Sequence, residues 1–366
     1  MKSVFSRADQ RAVSFVAALA VGVSAAGAAA AQEDEAPEGA PDLIPKDVVD
    51  TESDEEVEAG WHPTLRVSGN LALGHNKGVV GSPDGTNLTL GYMINGKVDY
   101  MDESLQHEWK NKLLWQLGYT RTPAFDTMIK NSDVLDLKSA YLYHIPDLSW
   151  LGPFAALRMK SQVFPGYDVP VEEKTVTRLD PDGEREPRYD ELGNPIGDRV
   201  YDAGDKIKLT EPFAPTSLRE TVGLFAVPVD EPEIAVDVRA GFGLWETFVR
   251  NGYTVADDED TPELEVQRME DSVQLGPEVN LEVDGQLREN VTYGAGVTMM
   301  YPIYMNIDSD LEGVELLNAE FDFLLGVKLW EYASLDYNFK AYRVPLVSDA
   351  WQIQNTLLLS ITLQFV

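Results

Sequence analysis

Charged side chains recur at every second position in many segments of this 366-residue chain, alternating with apolar residues. On one face of a sheet such groups either pair with each other or form a polar surface that admits ions and small solutes. Both signs occur in similar numbers, so a salt-bridged network and a hydrated channel with a transverse field both stay open. Eighteen residues form this set, and we expect them to line the lumen of the β-barrel that the strand pattern predicts below: Arg66, Lys97, Asp99, Lys110, Lys112, Asp136, Lys138, Arg158, Lys160, Asp237, Arg239, Glu278, Glu282, Glu320, Asp322, Lys328, Asp336 and Lys340.

Sequence motifs for catalysis are absent. The four histidines have no His-x-x-x-His spacing, and the chain has neither a Gly-x-Ser-x-Gly elbow nor a Walker A sequence. The chain has no cysteine, which excludes disulfides and zinc–cysteine sites. We therefore expect no enzyme activity, no catalytic residues and no cofactor or metal.

The formal net charge of −33 argues against a nucleic-acid partner, because phosphate backbones are bound by basic surfaces. Residues 1–31 have a basic start, an apolar stretch of small residues and an Ala-x-Ala site before Gln32, which is typical of a secretory signal peptide. Residues 32–60 are rich in Asp, Glu and Pro, and they lack aromatic residues. This composition predicts an acidic, disordered periplasmic tail.

From Trp61 to the end, apolar and polar residues alternate with a period of two, which predicts strands with one apolar face and one polar face. The segments are longer than the usual strand of a soluble protein, and only the N-terminal apolar stretch is a candidate for a spanning helix. Twelve segments show the pattern, at 64–75, 86–101, 105–120, 131–146, 153–168, 216–229, 232–248, 271–285, 290–305, 314–330, 332–344 and 350–366.

The connections between these segments alternate between short and long, with a short one before the last strand as the exception. This pattern predicts an all-β fold: a single antiparallel up-and-down transmembrane β-barrel of about twelve strands over residues 61–366, with short periplasmic turns and long outer loops. A soluble β-sandwich or lipocalin-type barrel is the alternative. Aromatic residues on the apolar faces favour the membrane interpretation: Tyr92, Tyr100, Trp109, Trp115, Tyr141, Tyr143, Tyr293 and Tyr301.

We expect the partners to be outer-membrane lipid and the barrel-assembly machinery, because the last strand, with Phe365 penultimate, resembles a barrel assembly signal. An external partner of the long loops is unknown. The connection at 169–204 is the longest, and a mobile surface loop is its simplest interpretation, with a binding loop or lid as the alternative. Acidic clusters at 257–260 and 308–312 offer oxygen ligands for calcium without completing an EF-hand loop.

The middle of the chain resembles an uncharacterised outer-membrane β-barrel family, catalogued as domain of unknown function 3078. The matching residues include Gly60-Trp61, the run from His107 to Leu113, the run from Asp133 to Tyr141, and the stretch from Lys160 to Tyr167. Salt-induced outer-membrane proteins are similar too. The resemblance implies a barrel in the outer membrane and supplies no substrate and no catalytic residue.

Two functions therefore compete at this stage. The first is a narrow passive channel for ions or small solutes. The second is a closed structural or binding barrel that acts through its long outer loops.

Overall fold

The computed structural model describes residues 59–76, 85–121, 128–189, 193, 195–256, 261–307, 311–330, 333–345 and 348–365. The predicted signal peptide at 1–31 and all but the last two residues of the predicted acidic tail at 32–60 lie outside the described residues, and Gly60 already belongs to the first strand. So do the acidic residues at 257–260 and 308–310. The predictions for these segments stay predictions.

Twelve long antiparallel strands follow each other in chain order and form the barrel. They are β1 (Gly60–Asn76), β2 (Gly85–Met101), β3 (His107–Arg121), β4 (Ile129–Tyr143), β5 (Leu151–Ser161), β6 (Thr216–Glu231), β7 (Ile234–Phe248), β8 (Ser272–Arg288), β9 (Val291–Met300), β10 (Asn318–Trp330), β11 (Ala333–Val344) and β12 (Ser348–Phe365). Each strand pairs with the next, and β12 pairs back onto β1 through Phe365–Leu65 and Ile361–Gly69. The predicted all-β, up-and-down fold of twelve strands is therefore confirmed.

Several strand ends differ from the predicted ones by a few residues, and three of the differences have a clear cause. β5 ends at Ser161 rather than near 168, because the following residues leave the barrel and form a separate ladder. β9 ends at Met300, since Pro302 has no N–H to donate, and Tyr304–Met305 pairs with β8 instead. β10 begins at Asn318, because Gly313–Leu316 forms a single 3-10 turn. No helix in the described part of the chain is long and apolar enough to cross a membrane.

The outer face of the barrel is apolar. Apart from Val229 and Trp330, which follow register shifts, the exposed large apolar residues of a strand share one parity. Leu65 and Val67 in β1 and Val222 and Leu224 in β6 are examples. Phe242 in the middle of β7 is 56% exposed. Soluble barrels direct large apolar side chains inward and polar ones outward, whereas this barrel has large apolar side chains on its outer face.

Aromatic residues concentrate at the end of the barrel where the short turns lie, here called the turn end. Trp61, Tyr100, Trp109 and Tyr141 face each other in register across β1 to β4. The rings of Trp61 and Tyr100 lie 4.8 Å apart. The indole N–H of Trp109 donates a hydrogen bond of 2.9 Å to Ser139. At the opposite end, here called the loop end, Phe321 packs near Trp351.

The β2–β3 turn at the turn end is held by one carboxylate. Asp102 accepts hydrogen bonds from the Ser104 hydroxyl and from the backbone N–H groups of Gln106 and His107. These donors favour the ionised form, the Ser104 hydroxyl most strongly, and they lower the pKa of Asp102 to about 2. The turn is therefore fixed at neutral pH by a charged acceptor.

The two longest connections fold together into a cap, comprising residues 162–215 between β5 and β6 and residues 249–271 between β7 and β8. Its cap sheet has four strands in the order Arg199–Tyr201, Lys174–Leu179, Leu264–Arg268 and Tyr253–Val255, and the central pair is parallel. Buried apolar residues form its core: Val176, Tyr201, Ile207, Leu209, Leu264 and Val266. The expectation of a mobile surface loop at 169–204 is thus corrected, because these side chains bury each other with the second connection.

Candidate functional site

Five cations form a row across the interior walls of five neighbouring strands. In register, Lys97 of β2 faces Lys112, which faces Lys138, which faces Arg158, which faces Arg219 of β6. This set is here called the basic row. Lys97 lies four residues from the turn end of β2, and Arg219 lies three residues from the loop end of β6. Because barrel strands are tilted, the row runs through the interior from one end to the other.

Carboxylates line the opposite wall. Asp237 of β7 faces Glu282 of β8, which faces Gly296, which faces Asp322 of β10. A Cβ placed on Gly296 would lie 2.7 Å from a carboxylate oxygen of Asp322, so the glycine leaves room for that side chain. Asp237, Glu282 and Asp322 are here called the acidic row. The two walls therefore carry opposite charge.

Several predicted lumen residues pair within their own wall. Lys97 lies 3.1 Å from Asp99, Lys110 lies 2.9 Å from Glu108, and Arg239 lies 2.5 Å from Asp237. Arg158 and Asp136 form a two-pronged pair, with Nη2 to Oδ2 at 2.6 Å. Like charges that face each other directly destabilise a sheet, so these carboxylates offset part of the repulsion within the basic row.

Other predicted lumen residues lie in four different environments. Arg66 and Asp336 are buried in β1 and β11, where the hydroxyl of Ser334 donates to Asp336. Glu278 accepts hydrogen bonds from Thr221 and from the Trp245 indole N–H. Lys160 lines the cavity described below. Lys328 is exposed at the turn end of β10, where the pairing with β11 shifts register.

One ion pair crosses the interior. Arg219 of β6 lies 3.1 Å from Glu320 of β10, and Lys340 of β11 lies 3.0 Å from the other oxygen of the same carboxylate. β6 and β10 are four strands apart in the barrel, so the contact bridges the lumen rather than following the wall. The guanidinium of Arg219 also lies 3.8 Å from the centre of the Trp245 ring. This lumen bridge narrows the interior near the loop end.

Sequence reasoning did not include Arg219 in the site. Its neighbour Glu220 points to the other face of β6. Because two consecutive residues are charged, the sequence of this strand does not show which of them faces the lumen. The basic run that it completes is visible only after the strands are aligned, because its members come from five separate segments.

A cavity of about 290 Å³ lies between the barrel interior and the cap, here called the cap cavity. Its walls include Arg158, Lys160 and Glu320 from the barrel, and Leu209 and Tyr253 from the cap. The cap thus covers the loop end of the lumen directly above the lumen bridge. Among the described residues, no cluster of three or more His, Cys, Asp or Glu has the arrangement of a metal site.

Residues 81–167 match the model of a family described as Protein of unknown function (DUF3078). The match covers β2 to β5, and it confirms the resemblance seen in the sequence. No curated protein matches the chain.

Solved structures with a similar fold include the COG4313 outer membrane channel from Pseudomonas putida F1. It is 11% identical, with a TM-score of 0.39 over 87% of this chain and 100% of that one. The translocator domain of the autotransporter NalP from Neisseria meningitidis is 8% identical, with a TM-score of 0.36 over 85% and 90% of the two chains. OmpT of Vibrio cholerae is 8% identical, with a TM-score of 0.29 over 85% and 99%.

An apolar cluster lies near the turn end of the lumen. Leu142, Phe154 and Phe225 pack there as a buried cluster on the inner face of β4 to β6. His144 meets the edge of the Phe225 ring and contacts Glu108 through Nε2 at 2.9 Å.

Proposed function

We propose that the protein is an outer-membrane β-barrel that acts as a narrow passive channel for ions or small solutes, without catalysis. The observation that carries the proposal is the pair of charged rows on opposite walls. Facing rows of opposite sign create a transverse field across a lumen, and a lumen lined by charged side chains favours water and small polar solutes.

The apolar outer face supports the membrane location. A closed ring leaves no unpaired sheet edge, which a strand structure needs in a lipid bilayer. The exposed apolar residues of one parity, together with the aromatic residues at the turn end, match the lipid-facing band and interfacial girdle of membrane barrels. We therefore infer partnership with outer-membrane lipid, and an export signal in the N-terminal segment.

The membrane location predicts a depth-dependent cost for charge on the outer face. We expect Phe242→Arg, in the middle of β7, to lower the free energy of unfolding by about 2–4 kcal/mol in lipid vesicles. Ile234→Arg, at the turn end of the same strand, is the matched control and should cost about 1 kcal/mol or less. Denaturant unfolding followed by tryptophan fluorescence measures both. Equal costs at the two positions would contradict a lipid-facing belt.

Channel activity is tested by single-channel conductance of the refolded mature chain in a planar bilayer. A heat-dependent gel shift first establishes that the barrel has formed. We expect steady openings, and we expect Lys112→Glu in the basic row to shift the reversal potential towards cations. Arg121→Glu makes the same charge change on the outer face of the same strand and should leave the reversal potential unchanged. Folded protein without openings would overturn the channel proposal.

A closed binding barrel is the second candidate, and two observations favour it. The lumen bridge and the apolar cluster of Leu142, Phe154 and Phe225 both narrow the interior. The cap is a folded unit with its own core, as a surface for an external partner would require. This candidate predicts a silent barrel whose function is lost when the cap is disrupted.

A further inference from the structure

The cap cavity has an excess of positive charge in a strongly acidic protein. Its lining includes Lys130, Arg158, Lys160, Arg219 and Lys340, against two carboxylates, Asp133 and Glu320. Five cations and two anions leave three positive charges in excess, whereas the whole chain has a net charge of −33. General acidity therefore does not explain this site, and the cavity selects against cations.

The carboxylates nearest the cavity compensate only part of this charge. Glu320 is shared by two cations, Arg219 and Lys340. Asp133 contacts Lys130 at 3.0 Å and also accepts from the backbone N–H groups of Val163 and Phe164. Asp136, outside the lining, pairs with Arg158. These contacts hold the cations in place, and the lining still carries more cations than carboxylates.

Uncharged donors point to the same ligand chemistry. Ser132 is 2% exposed and lines the cavity, and among the described residues its hydroxyl has no hydrogen-bond partner. A buried hydroxyl without a partner is costly, so a ligand or water acceptor belongs beside it. Thr247 and Ser272 add hydroxyl groups to the lining. Hydroxyls and cations together are the donors that bind carboxylate and phosphate oxygens.

The cavity leads directly into the basic row. Arg158 and Arg219 belong both to the cavity lining and to the loop end of that row. An anion released from the cavity would therefore next meet Lys138, then Lys112 and Lys97, on its way to the turn end. The cavity lining and the basic row therefore both carry positive side chains.

We propose that the cap cavity is a binding site for a small oxyanion, carrying carboxylate or phosphate groups, and that it loads the basic row. This inference deepens the proposed channel by naming the solute class, and it rests on that function for the onward path. The cavity volume of about 290 Å³ limits the ligand to a small molecule. The cap residues Leu209 and Tyr253 close the site from above.

Binding is tested on the refolded mature chain in detergent micelles by isothermal titration calorimetry, which does not require conduction. Succinate and inorganic phosphate are the probes, and uncharged succinamide is the reference. We expect saturable binding of one oxyanion per barrel and none of succinamide. Tighter binding of succinate assigns an organic carboxylate, and tighter binding of phosphate assigns a phosphate.

The variant Lys160→Gln should weaken oxyanion binding about tenfold, because it removes one charge-assisted contact in the cavity. Lys130→Gln is a second cavity variant if Lys160→Gln does not fold. Lys110→Gln makes the same charge change near the turn end, outside the lining, and should leave affinity unchanged.

Each outcome separates the site from the channel. No saturable binding of either oxyanion overturns the site, even if the barrel conducts. An equal loss in Lys110→Gln also overturns it, because the effect would then come from total charge. Oxyanion binding that depends on Lys160, in a barrel without openings, supports the site and rejects the channel.

Discussion

Replacing Val266 with aspartate is expected to unfold the cap and raise single-channel conductance several-fold while the barrel stays folded. Val266 is 2% exposed in the cap core and lies on the central strand that joins the two connections. A carboxylate there would be buried without a cation, at a cost on the order of several kcal/mol, which exceeds what a small sheet can offset. The cap would then no longer cover the loop end of the lumen.

The control for this variant is Val200→Asp, which places the same carboxylate on the cap sheet at a position that is 54% exposed. It should change neither conductance nor cap folding. The gel shift reports the barrel, and limited proteolysis between 162 and 215 reports the cap. If Val266→Asp makes the cap sensitive to protease and conductance stays at the wild-type value, the cap does not restrict the channel.

The barrel strands were predictable because each obeys a local rule. A strand with lipid or solvent on one side and lumen on the other must alternate, and residues such as Val279, Leu281 and Val283 against Glu278, Asn280 and Glu282 show this within six positions. The strand number and order follow, since alternating connection lengths leave an up-and-down barrel as the simplest arrangement. Three of the ends that moved have causes outside this pattern: the chain leaves the barrel after Ser161, Pro302 interrupts β9, and a 3-10 turn at Gly313–Leu316 precedes β10.

The cap was not predictable in the same way. Its strands have two to six residues, and Lys174–Leu179 pairs in parallel with Leu264–Arg268, which is far along the chain. Short segments of mixed polarity carry little period-two signal, and parallel pairing between two separate connections leaves no turn motif between them. The core of Val176 and Val266 is therefore visible only in three dimensions.

The charged residues of the lumen were predictable only in part. Parity predicted the residue types of the polar face, but it gives no register, so neither the five-cation row nor the contact between Arg219 and Glu320 could be read from the sequence. Register depends on which residues of neighbouring strands face each other, and a shift of one residue would move a charge to the outer face. The functional arrangement thus arises from the alignment of strands, not from any single one.

The lumen bridge gives the second large effect, in the variant Glu320→Gln. Glu320 contacts both Arg219 and Lys340, and its side chain is only 10% exposed. Without the carboxylate, two cations remain close to each other, so we expect the free energy of unfolding to fall by about 3 kcal/mol. We also expect conductance to rise and the reversal potential to shift towards anions, because a constriction is loosened and a negative charge is lost.

Glu282→Gln is the matched control, since Glu282 lies on the acidic row and is exposed to the lumen. It should cost less than about 1 kcal/mol, because a wet carboxylate contributes little to stability. The double variant Glu320→Gln with Lys340→Gln should recover part of the loss, since one of the two stranded cations is then removed. If the two single carboxylate variants prove equally stable and equally conductive, the contact between Arg219 and Glu320 does not constrict the lumen.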